Sequence, residues 1–387
     1  MSGFDPQAAA RAAIPVTVLT GFLGSGKTTL LNHLLSQPDL KDCAVLINEW
    51  GEVSIDHLLV RHLSEDVVVL DNGCLCCTVR GDLVTALRDL FLKRVKNEVP
   101  EFGRVLIETT GLADPAPILH TLMSEPLLVE RYRLDGVVCT IDAVNGGRTL
   151  DRNRESIKQV AMADRLLLTK LDLADPIEVE LLRGRLAAIN PGARIGVAAR
   201  GRIDPDEILN CGLFDGKNRL PDVERWLNDE SVAAHTDHLH HHDHHHHHDH
   251  DGHEGCGPDC HDPSHHHDHD HGHGHGPRHD DAISSFVVTF DEPIAWQSLA
   301  LAIEVLISLK GENLLRVKGI VNARESDKPL VLHGVQHLFH EPVPLPEWPD
   351  DDHRTRIVFI TRDLPRRTVM DLMEHAAEFE PGSSDPE

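Results

Sequence analysis

The sequence predicts an α/β fold with a mostly parallel sheet, followed by a small α+β domain at the C-terminal end. Short apolar runs alternate with helical stretches from Ile14 to about Leu213, as in a parallel sheet that helices cover on both faces. Apolar, β-branched runs return near the C-terminal end, after a stretch with almost no apolar residues. We therefore predict domains at residues 14–215 and 284–378, joined by the segment 216–283.

The first element of the α/β region is a predicted strand, residues 16–20, that runs into a glycine-rich loop. Residues 21–28 read GFLGSGKT, and helical sequence follows to Leu35. This strand–loop–helix setting is the one that the phosphate-binding motif G-x-x-x-x-G-K-[ST] requires. Backbone N–H groups of such a loop, together with the helix N-terminus, bind phosphate oxygens. The predicted nucleotide-binding residues of this segment are Gly21, Gly24, Ser25, Gly26, Lys27, Thr28 and Thr29.

A second predicted strand, residues 105–107, ends at an acidic residue, Glu108. A carboxylate at the end of a parallel strand beside a phosphate loop can ligate Mg²⁺ or orient the attacking water. Lys27 would contact the β- and γ-phosphates, the Thr28 hydroxyl would ligate Mg²⁺, and Gly111 would let the backbone approach the γ-phosphate. The predicted catalytic residues are Lys27, Glu49 and Glu108, and the roles of the two glutamates stay open between the metal shell and the water.

A third predicted strand, residues 165–168, is followed by Thr169-Lys170-Leu171-Asp172. A carboxylate at Asp172 can accept two N–H bonds from guanine, and adenine has no such pair of donors, so the residue favours GTP. The aliphatic part of Lys170 can lie over the base. Thr169, Lys170 and Asp172 complete the predicted nucleotide site.

Three thiols, Cys74, Cys76 and Cys77, follow a predicted strand at residues 67–70. Their loop lies between a strand and a helix, at the same sheet edge as the phosphate loop. Thiolates suit Zn²⁺ and, less well, Co²⁺. Three protein ligands leave a fourth position for Glu49, a histidine or a recipient protein, which suits a site that passes its ion on. The alternatives are a disulfide, which a reducing cytoplasm disfavours, and three buried, inert thiols.

A histidine-rich tract separates the two predicted domains. Between His235 and His279 lie 21 of the chain's 30 histidines, interleaved with Asp and Gly. Such a segment buries too little apolar surface to offset its ordering entropy, so we predict disorder. Its imidazoles and carboxylates suit Zn²⁺ and other transition metals, which predicts a metal reservoir, with a solvating linker as the alternative. A tighter metal site within the tract is predicted at His253, Cys256, Cys260 and His261.

The composition limits the classes of partner. A formal net charge of −26 disfavours nucleic acid and anionic membranes. The sequence contains no run of about 18 apolar residues, so no transmembrane helix is predicted. The stretch from Met1 to Ala13 has no apolar core of about 7–15 residues, so no secretion signal is predicted and we expect a cytoplasmic protein.

Together these motifs resemble the CobW-type metallochaperone GTPases, a branch of the P-loop GTPases. The resemblance runs from about Ile14 to Thr361, and two positions depart from it: Thr169 stands where the family often has Asn, and Trp50 where it usually has Phe. The matching residues are GFLGSGKTT at 21–29, Asn48-Glu49-Trp50-Gly51, Cys74-Leu75-Cys76-Cys77, Glu108-Thr109-Thr110-Gly111 and Thr169-Lys170-Leu171-Asp172.

The resemblance implies a GTPase that uses GTP, Mg²⁺ and Zn²⁺, with Co²⁺ as an alternative, and whose nucleotide state reshapes the thiol loop. Residues 48–51 would be its switch. The leading hypothesis is a carrier that transfers zinc to a client metalloprotein. The alternatives are cobalt delivery for cobalamin biosynthesis, activation of another metalloenzyme, and a metal buffer or sensor without a client. No arginine finger is evident, so we expect slow intrinsic turnover. A homodimer is an alternative drawn by analogy with related GTPases.

Overall fold

The computed structural model describes residues 13–40, 42–47, 68–71, 79–209, 211, 283–340 and 342–378. These residues form two sheets, one in each half of the chain. The histidine-rich tract, with its predicted disorder, lies outside the described residues. Within the described part, no helix has the length and apolar content to cross a membrane.

Among the described residues, the first sheet has seven strands, and all of them are parallel. They are β1 (Ile14–Thr20), β2 (Cys43–Ile47), β3 (Val68–Asp71), β4 (Arg104–Glu108), β5 (Tyr132–Asp142), β6 (Arg165–Thr169) and β7 (Arg194–Ala198). Their order across the sheet is β3-β2-β4-β1-β5-β6-β7. The predicted mostly parallel sheet is confirmed, and β1, which carries the phosphate loop, lies at its centre.

Helices cover both faces of this sheet. They are α1 (Lys27–Leu35), α2 (Val79–Val95), α3 (Ala116–Ser124), α4 (Pro126–Val129), α5 (Gly146–Arg152), α6 (Arg154–Met162), α7 (Pro176–Ile189) and α8 (Pro205–Ile208). Successive strand side chains point to opposite faces. In β2, Ala44 and Leu46 therefore join the apolar cluster under α2, α3, α6 and α7, whereas Val45 and Ile47 join the cluster under α1. This double burial explains why the strands read as nearly continuous apolar runs.

The second sheet is antiparallel, and two helices pack on one of its faces. Its strands are β8 (Ile283–Phe290), β9 (Leu314–Val321), β10 (Leu330–Val335), β11 (Leu338–Phe339), β12 (Val343–Pro344) and β13 (Thr355–Arg362). The helices are α9 (Trp296–Lys310) and α10 (Arg366–Glu378). Leu299, Ile303 and Leu306 of α9 are buried against the sheet together with Val369 and Met373 of α10. The predicted small α+β domain is confirmed.

A buried ion cluster joins the two sheets. Asp164, which immediately precedes β6, binds the Arg316 guanidinium at 2.8 and 3.1 Å and the Lys318 ammonium at 2.6 Å, both from β9. Arg316 also donates to the Met162 carbonyl at the end of α6, at 3.0 Å. Apolar residues of the second sheet, among them Leu315, complete the core of the first. The C-terminal unit is thereby packed onto the nucleotide-binding fold at the junction of α6 and β6.

Candidate functional site

The carboxyl ends of β1 and β4 form a cleft of about 510 Å³. Ligands of open α/β sheets bind at this end of the strands. Most of the residues that the sequence predicts for the nucleotide site meet here. The lining residues are Leu23, Gly24, Gly26, Lys27, Thr28, Thr29, Glu108, Thr109, Thr110, Gly111, Leu112 and Lys170.

The loop after β1 has the geometry of a phosphate cradle. Gly21 has a φ of +136°, and a Cβ there would lie 2.4 Å from the Thr140 carbonyl oxygen, so only glycine fits. The Lys27 ammonium folds back and donates to the carbonyls of Gly21 at 3.0 Å and Phe22 at 3.3 Å. Helix α1 begins behind the loop with no side-chain cap on its N-terminal N–H groups in the described structure. Lys27, Thr28 and Thr29 at its N-terminal end line the cleft, so its positive end faces the cleft, as an anion requires.

The donor set for a divalent cation is assembled at the base of the cleft. The Thr28 hydroxyl donates to Glu108 Oε1 at 2.8 Å, and the Glu108 side chain is only 4% exposed. Glu108 pairs with Leu19 in the parallel register, which puts it beside the start of the phosphate loop. A hydroxyl and a carboxylate are hard oxygen ligands of the kind that Mg²⁺ prefers. The residues present therefore fit Mg²⁺.

The loop that follows β4 lies directly against the phosphate loop. A Cβ on Gly111 would lie 2.5 Å from the Leu23 backbone nitrogen, so the two backbones touch only because this residue is glycine. Gly111 lines the cleft on the side of Glu108 and Thr110. That its backbone faces a terminal phosphate stays a prediction.

Three of the predicted nucleotide-binding residues, Gly21, Ser25 and Thr169, are buried and are not among the residues that line this cleft. The Thr169 hydroxyl donates to the Ser25 carbonyl at 2.7 Å, with the Ile141 carbonyl at 3.2 Å as a second acceptor. The Ser25 hydroxyl is 2.7 Å from that of Thr140. Thr169 therefore holds the phosphate loop in place from the end of β6, a support that its short side chain can give without reaching a base.

Thr169→Val is expected to lower both stability and nucleotide affinity. The change leaves the buried Ser25 carbonyl without its donor, which costs about 1–3 kcal/mol. Urea unfolding and titration with a fluorescent GDP measure the two effects. Thr361→Val is the matched control, because it removes a buried hydroxyl that donates to the Leu364 carbonyl in the second domain. Equal GDP affinities for the two variants would contradict the support assigned to Thr169.

Two predicted nucleotide-binding residues, Lys170 and Asp172, pair with residues that the sequence analysis did not single out, Asp142 and Arg200. The Lys170 ammonium binds Asp142 at 2.9 Å, and Asn145 also donates to this carboxylate at 3.0 Å. Burial opposes ionisation of Asp142, but these hydrogen bonds outweigh it and hold its pKa below the ordinary value. Asp172 is outside the cleft lining, half-exposed, with its carboxylate 3.6 Å from the Arg200 guanidinium. The positions of both residues could have indicated this. Asp142 ends β5 and Arg200 follows β7, so both lie at the edge of the sheet where the phosphate loop lies.

Other predicted residues lie outside the described residues: Glu49, Cys74, Cys76, Cys77, His253, Cys256, Cys260 and His261, with the rest of the predicted switch at 48–51. The points where their segments begin are described. Ile47 pairs with both Glu108 and Asp71, so the chain leaves β2 and β3 in the row of residues that holds Glu108. Two other thiols, Cys43 and Cys139, are buried, which raises the pKa of Cys43 to about 11 and that of Cys139 to about 12.

Comparison with known families gives two matches. Residues 15–196 match the CobW/HypB/UreG nucleotide-binding domain. Residues 283–377 match the C-terminal domain of the cobalamin synthesis protein cobW. The two matches coincide with the two sheets.

Individual proteins are similar to this chain, one of them over most of its length and another over about half. The zinc chaperone YjiA of Escherichia coli is 34% identical over 356 residues, which cover 92% of this chain and 96% of that protein. A zinc-regulated GTPase metalloprotein activator of Schizosaccharomyces pombe is 38% identical over 216 residues, 53% of this chain and 51% of that protein. The crystal structure of Zn(II)-bound YjiA GTPase superimposes with a TM-score of 0.62 at 28% identity, covering 94% of this chain and 99% of that one.

Proposed function

This chain belongs to the CobW/HypB/UreG family, and from that premise we propose that it is a GTP-hydrolysing metallochaperone. It binds Zn²⁺ at Cys74, Cys76 and Cys77 and transfers the ion to a client apoprotein. The observation that carries the GTPase half is the Thr28–Glu108 hydrogen bond at the base of a phosphate cradle. The zinc half draws on the thiol cluster and on the names of two relatives, a zinc chaperone and a zinc-regulated GTPase metalloprotein activator.

Hydrolysis depends on positioning and charge. Lys27 and the N-terminal N–H groups of α1 hold the phosphate oxygens, and Gly111 closes the γ-phosphate side. Mg²⁺, when bound by Thr28 and Glu108, neutralises charge that develops on the phosphates. Glu108 takes the metal side because it already accepts the Thr28 hydroxyl hydrogen, which leaves Glu49 as the residue that orients water. Lys170 and Asp172 bind the guanine base.

Coupling between nucleotide and zinc follows from the row of strand ends. Segments 48–67 and 72–78 begin at Ile47 and Asp71, one and two strands from Glu108. With a strand spacing of about 4.8 Å, the thiol segment starts about 10 Å from the predicted metal–phosphate site. A switch ordered by the γ-phosphate is then close enough to change the geometry of the thiols. The histidine-rich segment serves as a reservoir of weaker metal sites that feeds them.

Zinc affinity is expected to depend on the bound nucleotide, and Cys76→Ser is expected to abolish that dependence. Coupling energies of this kind correspond to changes of about 5- to 150-fold in affinity. The measurement is an anaerobic chelator competition for Zn²⁺ and Co²⁺ on protein lacking residues 236–279. It is made once with GDP and once with Mg²⁺ and a non-hydrolysable GTP analogue.

Cys211→Ser is the control, since this buried thiol donates to the Ile208 carbonyl, a contact that serine can keep. Zinc affinity that is equal in the two nucleotide states would contradict the carrier and favour a metal buffer. A preference for Co²⁺, after correction for cellular availability, would change the cargo to cobalt. Full-length protein and the deletion variant carrying equal amounts of metal in the cell would contradict the reservoir.

A further inference from the structure

Two neighbouring residues of α6 hold the loop that faces the terminal phosphate. The Gln159 side-chain amide donates to the carbonyls of Gly111 at 3.2 Å and Ala113 at 3.0 Å. The Lys158 ammonium binds the Asp114 carboxylate at 2.6 Å. All three contacts run from one turn of helix to one loop. The backbone between Glu108 and α3 is therefore attached to α6 at several points.

Gln159 is committed to this loop. The side chain is fully buried, and both acceptors of its amide N–H groups lie in the loop. Its Oε1 accepts no hydrogen bond from any residue in the described ranges. A buried amide costs free energy unless it is hydrogen-bonded. The two loop carbonyls are thus what this amide satisfies, and an apolar side chain of the same size would fill the volume without orienting the loop.

The contact sets the direction of a peptide group that borders the cleft. The carbonyl oxygen and the following N–H of a trans peptide lie in one plane and point in opposite directions. When Gln159 takes the Gly111 carbonyl, the Leu112 N–H is directed away from α6. Gly111 and Leu112 both line the cleft, and Gly111 packs against the Leu23 backbone. The loop is therefore oriented before any nucleotide binds.

We propose that Gln159 is a positioning residue for GTP hydrolysis, holding the Gly111–Ala113 backbone in the arrangement that the transition state requires. The inference rests on the proposed function, because it assumes that the cleft hydrolyses GTP. Its action is through the loop, and no contact between Gln159 and the nucleotide is involved. A misplacement of about 1 Å in such a group can reduce turnover about 100-fold.

The test is steady-state GTP hydrolysis by full-length Gln159→Met, which keeps the volume and removes both donors. We expect kcat to fall about 10- to 100-fold. The KM for GTP and the affinity for GDP should stay near their wild-type values, because GDP has no phosphate facing Gly111. Lys158→Met, which breaks a partly exposed ion pair and is safer for folding, should lower kcat in the same direction by a smaller factor.

Asn190→Leu is the matched control. Its buried amide donates to the Val160, Ala161 and Ala163 carbonyls at the C-terminal end of α6, so its loss destabilises the same helix without touching the loop. Equal kcat losses for Gln159→Met and Asn190→Leu, or an unchanged kcat in Gln159→Met and Lys158→Met, would overturn the inference alone. Wild-type protein without GTP turnover would overturn the proposed function and this inference together.

Discussion

Asp164→Asn is expected to reduce the free energy of unfolding by about 3–5 kcal/mol, because it leaves buried cations without their counter-ion. The Arg316 side chain is 4% exposed, and that of Lys318 is 11% exposed. Both bind Asp164, which is also hydrogen-bonded by the Val137 N–H at 2.8 Å. An asparagine keeps the size and some of the hydrogen bonds but removes the charge. Urea unfolding at neutral pH measures the loss.

The matched control is Asp371→Asn on α10, where the carboxylate is 58% exposed and pairs with Arg367 at 3.8 Å. Exposed pairs of this kind contribute little, so its effect should stay within about 0.5 kcal/mol. Similar losses in the two variants would mean that the charge of Asp164 does not hold the two sheets together.

The ion cluster also predicts how stability changes with pH. Burial opposes ionisation of Asp164, but Arg316 and Lys318 outweigh it and hold the pKa of Asp164 well below its ordinary value of 3.8. A carboxyl with a lowered pKa stabilises the fold above that ordinary value, and the contribution is lost as the pH falls further. Burial lowers the pKa of Lys318 to about 8 despite its attraction to Asp164.

For Lys318 the sign is the same, because its pKa is lowered as well. Between about 8 and its ordinary value of 10.5, the unfolded chain binds its proton more tightly than the folded protein does. Stability from this group therefore rises with pH over that window. Arg165 and His333 also face the cluster, and burial keeps the pKa of His333 well below its ordinary value. The wild type should lose stability more steeply in acid than Asp164→Asn, which lacks the titrating carboxyl, and a urea series across pH tests this.

Glu108→Gln is expected to reduce Mg²⁺-dependent GTP hydrolysis about 100-fold or more, the scale found when one transition-state charge contact is removed. Glutamine still offers an oxygen to the Thr28 hydroxyl, so the 2.8 Å hydrogen bond and the buried packing should survive. Only the negative charge beside the predicted Mg²⁺ is lost. The measurement is GTP turnover as a function of Mg²⁺ concentration, together with GDP affinity in the absence of Mg²⁺, which should change little.

Glu101→Gln is the control for this substitution, because Glu101 is 86% exposed and precedes β4 at the opposite edge of the sheet. Its turnover should match the wild type. If Glu108→Gln hydrolysed GTP at the wild-type rate with the same Mg²⁺ dependence, the metal role would have to pass to another carboxylate, with Glu49 the first candidate.

Local patterns in the sequence predicted the elements around the cleft well. The predicted strands at residues 105–107 and 165–168 match β4 and β6 to within one residue at each end. Each carries an uninterrupted apolar run, at residues 105–107 and 166–168, that ends at a polar residue. The phosphate loop was predicted equally well, because its spacing is set by the backbone geometry of Gly21 and by the position of Lys27 at the start of α1.

The side-chain contacts between distant segments of the chain could not be predicted from local sequence patterns. The sequence predicted Thr169 as a nucleotide-binding residue without indicating that its hydroxyl supports the loop at Ser25, 144 positions earlier in the chain. Nothing in the local sequence around Gln159 or Arg316 indicated the loop carbonyls or the carboxylate that each one binds. Each contact joins residues that only the order of the strands brings together.

What the sequence alone determined is therefore the family of motifs: where the strands and helices run, which loop holds phosphates, and which acidic residue lies at a strand end. Periodicity and backbone requirements act over a few residues, so they are written locally. Tertiary structure decided the pairing of Thr28 with Glu108, the attachment of the Gly111 loop to α6, and the burial of Asp164 between two sheets. Those depend on the order β3-β2-β4-β1-β5-β6-β7 and on the packing of the second sheet against it, which non-local burial and charge pairing select.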